Sequence, residues 1–149
     1  MPARRPSVVV TRRLPAPVEA RLTALFDAEL RPDDAPMSRE ALAEAMARAE
    51  VLVPTLADRV DAGLIAGAGP DLRLIANYGA GVDHIDLDAA RARGILVSNT
   101  PGVMTEDTAD MTLALLLAVT RRIPEGLAVM QSGGWKGWDP NALLGGRIA

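Results

Sequence analysis

Apolar residues along this chain follow two rhythms. Unalternating runs at Ser7–Thr11 (SVVVT), Val51–Val53 (VLV), Leu72–Ala76 and Ile95–Ser98 read as short strands buried on both faces. Helical spacing fills the intervals. Pro17–Leu30 places Val18, Leu22, Leu25 and Phe26 at helical intervals, and Ala28–Arg31 can turn into a further short strand. Ser38 is a predicted N-cap, with Glu40 in the first turn and the helix-forming run ALAEAMARA behind it. Asp58–Ala68 predicts a short helix closed by Gly67 and Gly69, and Leu87–Arg93 another stopped by Gly94. Strands alternating with helices predict an α/β fold around a parallel sheet.

The pattern changes after Thr100-Pro101-Gly102. Thr105–Arg122 predicts one long helix with Thr105 as N-cap, Glu106, Asp107 and Asp110 near its positive end, and Arg121 and Arg122 at its negative end. Its middle is apolar on nearly every side, which predicts burial on more than one side. Ile123–Ser132 predicts a second helix around Pro124, followed by a Gly/Trp/Pro-containing arm over 133–144. The expected division is residues 1–99 and residues 100–149.

Composition narrows the class. The 149 residues give room for one domain with a real core, or one domain and a piece of another. Aromatics make up only 3%, so the core must be built from Ala, Val, Leu and Ile. A net charge of −3 gives no electrostatic case for nucleic acid or an anionic membrane. All the basic residues except Lys136 are arginine. The lack of cysteine excludes disulfides, thiolate catalysis and Cys-based zinc sites, and no metal site is expected. Val8–Val10 is too short for a signal-peptide core, and Met111–Thr120 falls well short of the ~20 residues that span a bilayer. The expectation is a soluble, cytoplasmic protein.

Five features could carry chemistry. Gly79-Ala80-Gly81 follows a strand, where small residues let backbone approach a ligand and successive amides can hold a carboxylate. The same residues would also serve as a tight βα turn with no ligand. Thr55 and Leu56 end the third strand, either as a plain terminus or as a pocket wall. His84 is the only histidine; in DHID it reads as a helix-start element, with Asp83, Asp86 and Asp88 capping the helix that follows. Thr105, with a hydroxyl and free amides at a helix start, suits a phosphate, although capping alone would explain it. Trp135 and Trp138 are the only tryptophans, a residue type usual in cores and interfaces.

The stretch from Asn77 to Thr120, NYGAGVDHIDLDAARARGILVSNTPGVMTEDTADMTLALLLAVT, resembles the D-isomer-specific 2-hydroxyacid dehydrogenases, and among them most of all the glyoxylate and hydroxypyruvate reductases. The resemblance implies a flavodoxin-like doubly wound parallel sheet as substrate domain. A helical dimerisation segment then leads to a Rossmann domain that is missing from these residues. It implies hydride transfer from NAD or NADP to a small 2-oxo acid, glyoxylate or hydroxypyruvate. The substrate carboxylate would lie on the loop of Gly79, Ala80 and Gly81, with Leu56 or Thr55 as a wall. Thr105, closing a TPxxxT pattern, would contact the dinucleotide. Trp138 would cross from the neighbouring subunit of a homodimer, leaving Trp135 to pack the arm.

No G-x-G-x-x-G is present, and the family's catalytic Arg, Glu and His are missing, so no residue of this chain is expected to be catalytic and the chain alone is expected to be inactive, as a fragment or a truncated product. Two alternatives differ in class. A 3-phosphoglycerate dehydrogenase would need cationic groups near the pocket, and none is evident near 54–56 or 79–81. A non-catalytic, corepressor-like dimerising module would need no completed site.

Overall fold

The structure is a computed structural model that describes residues 4–137. The chain divides into two units, residues 1–102 and 103–149. In the first, strands β1 (Ser7–Val10), β2 (Asp27–Glu29), β3 (Val51–Val53), β4 (Leu74–Ala76) and β5 (Leu96–Ser98) alternate with helices α1 (Ala16–Leu25), α2 (Arg39–Arg48), α3 (Ala62–Ala66) and α4 (Leu87–Ala92). The sheet order is β2-β1-β3-β4-β5 and every pairing is parallel. This is the flavodoxin-like doubly wound order.

Register explains the unalternating runs. Val9 pairs with Leu52, Leu52 with Ile75, and Ile75 with Val97, which aligns one row across the sheet. That row joins a core with Leu42, Ala45 and Met46 of α2, Leu64 and Ile65 of α3, and Ala90 of α4. Val8, Val10 and Val53 point the other way, against Leu22 and Phe26 at the end of α1. Met46, Leu52, Ile65 and Ile75 are fully buried, and each contributes ~1.5–3 kcal/mol by leaving water.

Several local outcomes differ from the sequence reading. The helix expected over Asp58–Ala68 is shortened to Ala62–Ala66 and capped by Asp61, whose carboxylate accepts from the Leu64 amide at 3.1 Å. The preceding residues are drawn into tertiary structure, because Val60 bridges Ile85 and the Asp58 carboxylate is buried. Of the three aspartates expected to cap α4, only Asp86 does so, accepting from the Ala89 amide at 2.9 Å; Asp88 pairs with Arg91. Ser38 caps α2 as expected, accepting from the Ala41 amide. Gly69 is required by packing: a Cβ there would strike the carbonyl of Ala47, because the Gly69 amide bonds Met46 at the end of α2.

The second unit contains α5 (Thr105–Thr120) and α6 (Ile123–Gln131). Thr105 is the first helical residue of α5, not its N-cap; Met104 holds that position and makes no side-chain cap. Arg122, at φ 53°, turns the chain between the helices. No residue of α5 or α6 is buried within the single chain. Trp135 is half exposed in the single chain. Among the described residues, no helix is long and apolar enough to cross a membrane.

Candidate functional site

Strand β4 leads into the glycine loop through a buried asparagine. Asn77 is 3% exposed and its side chain is fully committed. Its Nδ2 donates to the carbonyl oxygens of Gly79 (3.1 Å) and Gly81 (2.8 Å), and its Oδ1 meets His84 Nε2 at 3.0 Å. The Gly79 carbonyl also accepts from the Thr100 amide at 3.0 Å, and the Ala80 carbonyl from Asn99 Nδ2 at 2.7 Å. All three carbonyls of the loop are therefore held by the scaffold. A trans peptide carries its C=O and the following N–H on opposite sides. Holding the Gly79 carbonyl thus aims the Ala80 amide away from Asn77, and holding the Ala80 carbonyl aims the Gly81 amide away from Asn99.

The end of β3 lies beside this loop. Tyr78 donates its amide to the Pro54 carbonyl at 2.8 Å, and Thr55 bridges Tyr78. The Leu56 side chain rests on Gly79, where a Cβ would come within 2.7 Å of Leu56 Cδ2. Leu56 is nevertheless 61% exposed, so it forms a wall open to solvent. Thr55 is used differently. Its amide (2.8 Å) and hydroxyl (3.1 Å) both donate to the buried Asp58 carboxylate, which also accepts from the buried Thr11 hydroxyl at 2.5 Å.

Strand order reverses between β1 and β3, the place where open α/β sheets bind ligands. A cleft of about 340 Å³ opens there, with Arg12, Arg13, Thr55, Leu56 and Tyr78 in its lining. The sequence argument against cations near residues 54–56 is corrected here, because topology carries the end of β1 to the end of β3. Arg12 is paired with Asp34 through Nε at 3.0 Å and Nη2 at 2.7 Å. That hydrogen bond holds the Asp34 carboxyl below its ordinary range and raises Arg12. A larger cleft, about 510 Å³, shares Leu56 with it and includes Asp58, Arg59, Asp83 and His84. Among the described residues no group of three His, Cys, Asp or Glu side chains could hold a metal ion.

This first unit offers a sheet of flavodoxin order, a loop after β4 whose carbonyls are held by the scaffold, and a hydrophobic wall after β3. The family model for the catalytic domain of D-isomer specific 2-hydroxyacid dehydrogenases matches residues 8–135. The chain belongs to that family. Among curated relatives of these dehydrogenases, it is 41% identical over 146 residues to a glyoxylate reductase/hydroxypyruvate reductase of Mus musculus, covering 97% of this chain and 44% of the relative. It is 42% identical over 145 residues to a glyoxylate reductase of Thermococcus litoralis, covering 95% of this chain and 44% of the relative. A crystal structure of a Thermus thermophilus protein superimposes with TM-score 0.81 at 48% identity, covering 94% of this chain and 45% of that one. An NADPH-dependent glyoxylate/hydroxypyruvate reductase of Sinorhizobium meliloti, solved with NADP and malonate, superimposes with TM-score 0.69 at 30% identity over 91% of this chain and 41% of that one. The chain thus spans a little under half the length of the relatives it matches.

The first unit brings Thr55, Leu56, Gly79, Ala80 and Gly81 to one edge of the sheet. Thr105 belongs to the second unit, and Trp138 lies outside the described residues. The described residues do not by themselves fit a dinucleotide. Thr105 offers a hydroxyl, but Glu106 and Asp107 in the same turn oppose an anionic pyrophosphate. Sequence reasoning passed over Asn77, Asn99, Arg13 and Asp58. A signal for the asparagines exists in the chain: each is a polar residue closing an apolar run, LIAN and LVSN.

Proposed function

We propose that this chain forms the carboxylate-binding part of an NAD- or NADP-dependent reductase of a small 2-oxo acid, with glyoxylate or hydroxypyruvate as substrate. One observation carries the reading: the Gly79 and Ala80 carbonyls are each held by an asparagine, which by peptide planarity turns the Ala80 amide away from Asn77 and the Gly81 amide away from Asn99. Two such amides match the two oxygens of a carboxylate. Gly79 keeps the loop close under Leu56, which limits the space for the substrate's remaining carbons. Thr55 supports that wall through Asp58. In this reading Thr105 makes one contact to the dinucleotide, Trp138 reaches the pocket of a second copy, and α5 and α6 pair two copies. The chain alone neither turns over substrate nor binds NADH or NADPH measurably.

Gly81→Val is a clean test. An added Cβ meets only Asp83 Oδ2, at 3.5 Å, so the fold tolerates it while the amide is screened. In a titration of the 15N-labelled chain with glyoxylate, the Ala80 and Gly81 amides are expected to shift, with affinity on the order of millimolar. Gly81→Val is expected to abolish the shifts. Equal shifts in the folded variant would refute the reading. Calorimetric titration with NADH and NADPH should show no heat of binding, and micromolar affinity would overturn that part.

A second reading is favoured by Arg13. It is exposed beside Arg12 on the cleft with Leu56 and Tyr78, and so could take a second anionic group. A phosphorylated three-carbon 2-oxo acid, as in 3-phosphoglycerate dehydrogenases, would then bind more tightly than glyoxylate. Arg13→Ala should erase that preference in the same titration.

A further inference from the structure

We infer that Asn77, Asn99 and His84 are positioning residues that set the direction of the two carboxylate-binding amides. The inference rests on the carboxylate reading above and assigns work to residues that never touch the ligand.

The geometry separates their tasks. Asn77 spends both of its Nδ2 hydrogens on loop carbonyls, at Gly79 and Gly81. Its backbone amide is tied to the Ser98 carbonyl at 2.9 Å, so the side chain is anchored to the sheet and does not travel with the loop. Planarity converts these bonds into directions. The Gly79 carbonyl fixes the Ala80 amide, and the Ala80 carbonyl fixes the Gly81 amide. Asn77 therefore governs the first amide, assisted by the Thr100 amide, and Asn99 governs the second.

The two loop carbonyls decide which way Asn77 faces, and His84 holds it in that orientation. With two carbonyl oxygens beside Nδ2, a flipped amide would set its oxygen against both of them. The unflipped amide presents Oδ1 to His84, so His84 Nε2 must carry the hydrogen. The lone histidine thus locks an asparagine instead of moving a proton. Preset donors need not reorganise when the carboxylate arrives, and that saving appears as affinity.

The test uses the 15N-labelled chain and oxamate, an unreactive carboxylate probe, followed at the Ala80 and Gly81 amides. Asn77→Ala is expected to weaken binding about tenfold, and Asn99→Ala a few-fold with the greater loss at Gly81. His84→Leu should weaken binding a few-fold. His84→Gln, which can still donate to Asn77, should restore it to within about twofold. Side-chain 15N shifts of the unsubstituted chain should report the Nε2–H tautomer.

The outcomes separate the two readings. If oxamate leaves both amides unmoved in the unsubstituted chain, the carboxylate reading fails and this inference fails with it. If oxamate binds and the asparagine variants bind equally well, only the positioning inference is overturned. Should Asn77→Ala fail to fold, Asn99→Ala and the His84 pair decide. A purely structural role would change melting temperature without the Leu-to-Gln rescue of affinity, and an Nδ1–H tautomer would overturn the assignment of His84.

Discussion

The two units of this chain use apolar residues in opposite ways. In residues 1–102, Val9, Leu52 and Ile75 lie in one row of the sheet and are buried under α2, α3 and α4. In the second unit, α5 holds four leucines, more in number than any single element of the first. Even so, Leu113, Leu115, Leu116 and Leu117 are all exposed, as are Ile123 and Leu127 nearby. Apolar content therefore does not make a core. A strand is buried on both faces because helices cross back over it, whereas one helix beside another leaves most of each circumference open. In the function proposed above this exposed face is where two copies pair. A second copy, as proposed above, is the closed way to cover it.

The sharpest break of this contrast is one leucine deletion made in each unit. Leu52→Ala, in the fully buried row, is expected to cost ~2–5 kcal/mol in urea unfolding at any protein concentration. Leu116→Ala should cost within ~0.5 kcal/mol in a dilute monomer. At tens of micromolar it should instead reduce the dimer mass seen by light scattering. A stable monomer of the unsubstituted chain at that concentration would remove the proposed pairing, and a large intrinsic loss for Leu116→Ala would remove the contrast.

Next in size is overpacking, which only the first unit can suffer. Gly69→Ala drives a methyl group into the Ala47 carbonyl and is expected to cost ~1–3 kcal/mol by thermal melting. An unchanged melting temperature would mean that the contact between α2 and the turn after α3 is loose.

A comparable loss is expected from polar burial. Asp58→Ala strips the acceptor from the Thr11 hydroxyl and from the Thr55 amide and hydroxyl, for ~1–3 kcal/mol. Asp107→Ala, in the open first turn of α5, removes only helix-end electrostatics and should stay below ~1 kcal/mol. Similar losses at both sites would show that Asp58 is wetter than its burial indicates.

The smallest effect is electrostatic. The hydrogen bond from Arg39 to Asp61 holds that carboxyl well below its ordinary value, assisted by the Leu64 amide it caps. Its folded pKa is depressed, so its contribution is fully present above about pH 4, the unfolded value. It fades as pH falls through the lower folded value. Asp61→Asn should therefore lower stability near neutrality and matter progressively less in acid; an equal loss at pH 7 and pH 2 would show that the pair contributes nothing through charge.

The chain's own pattern was enough for the alternation of strands and helices, the Ser38 cap and the glycine loop, because these depend on neighbours within a few residues. The same holds for the family, whose motifs are contiguous from Asn77 to Thr120. Other features needed the folded sheet. The Asp58–Ala68 helix shrank because Val60 found Ile85, a partner from another segment. Arg13 reached the Leu56 wall because β1 and β3 are neighbours in space though far apart in sequence. Asn77 and His84 acquired a joint role because a loop folded back over an asparagine. Composition and spacing encode local propensity, while the orientation of a backbone amide depends on which distant donor holds the carbonyl before it, and that is settled only when the layers close.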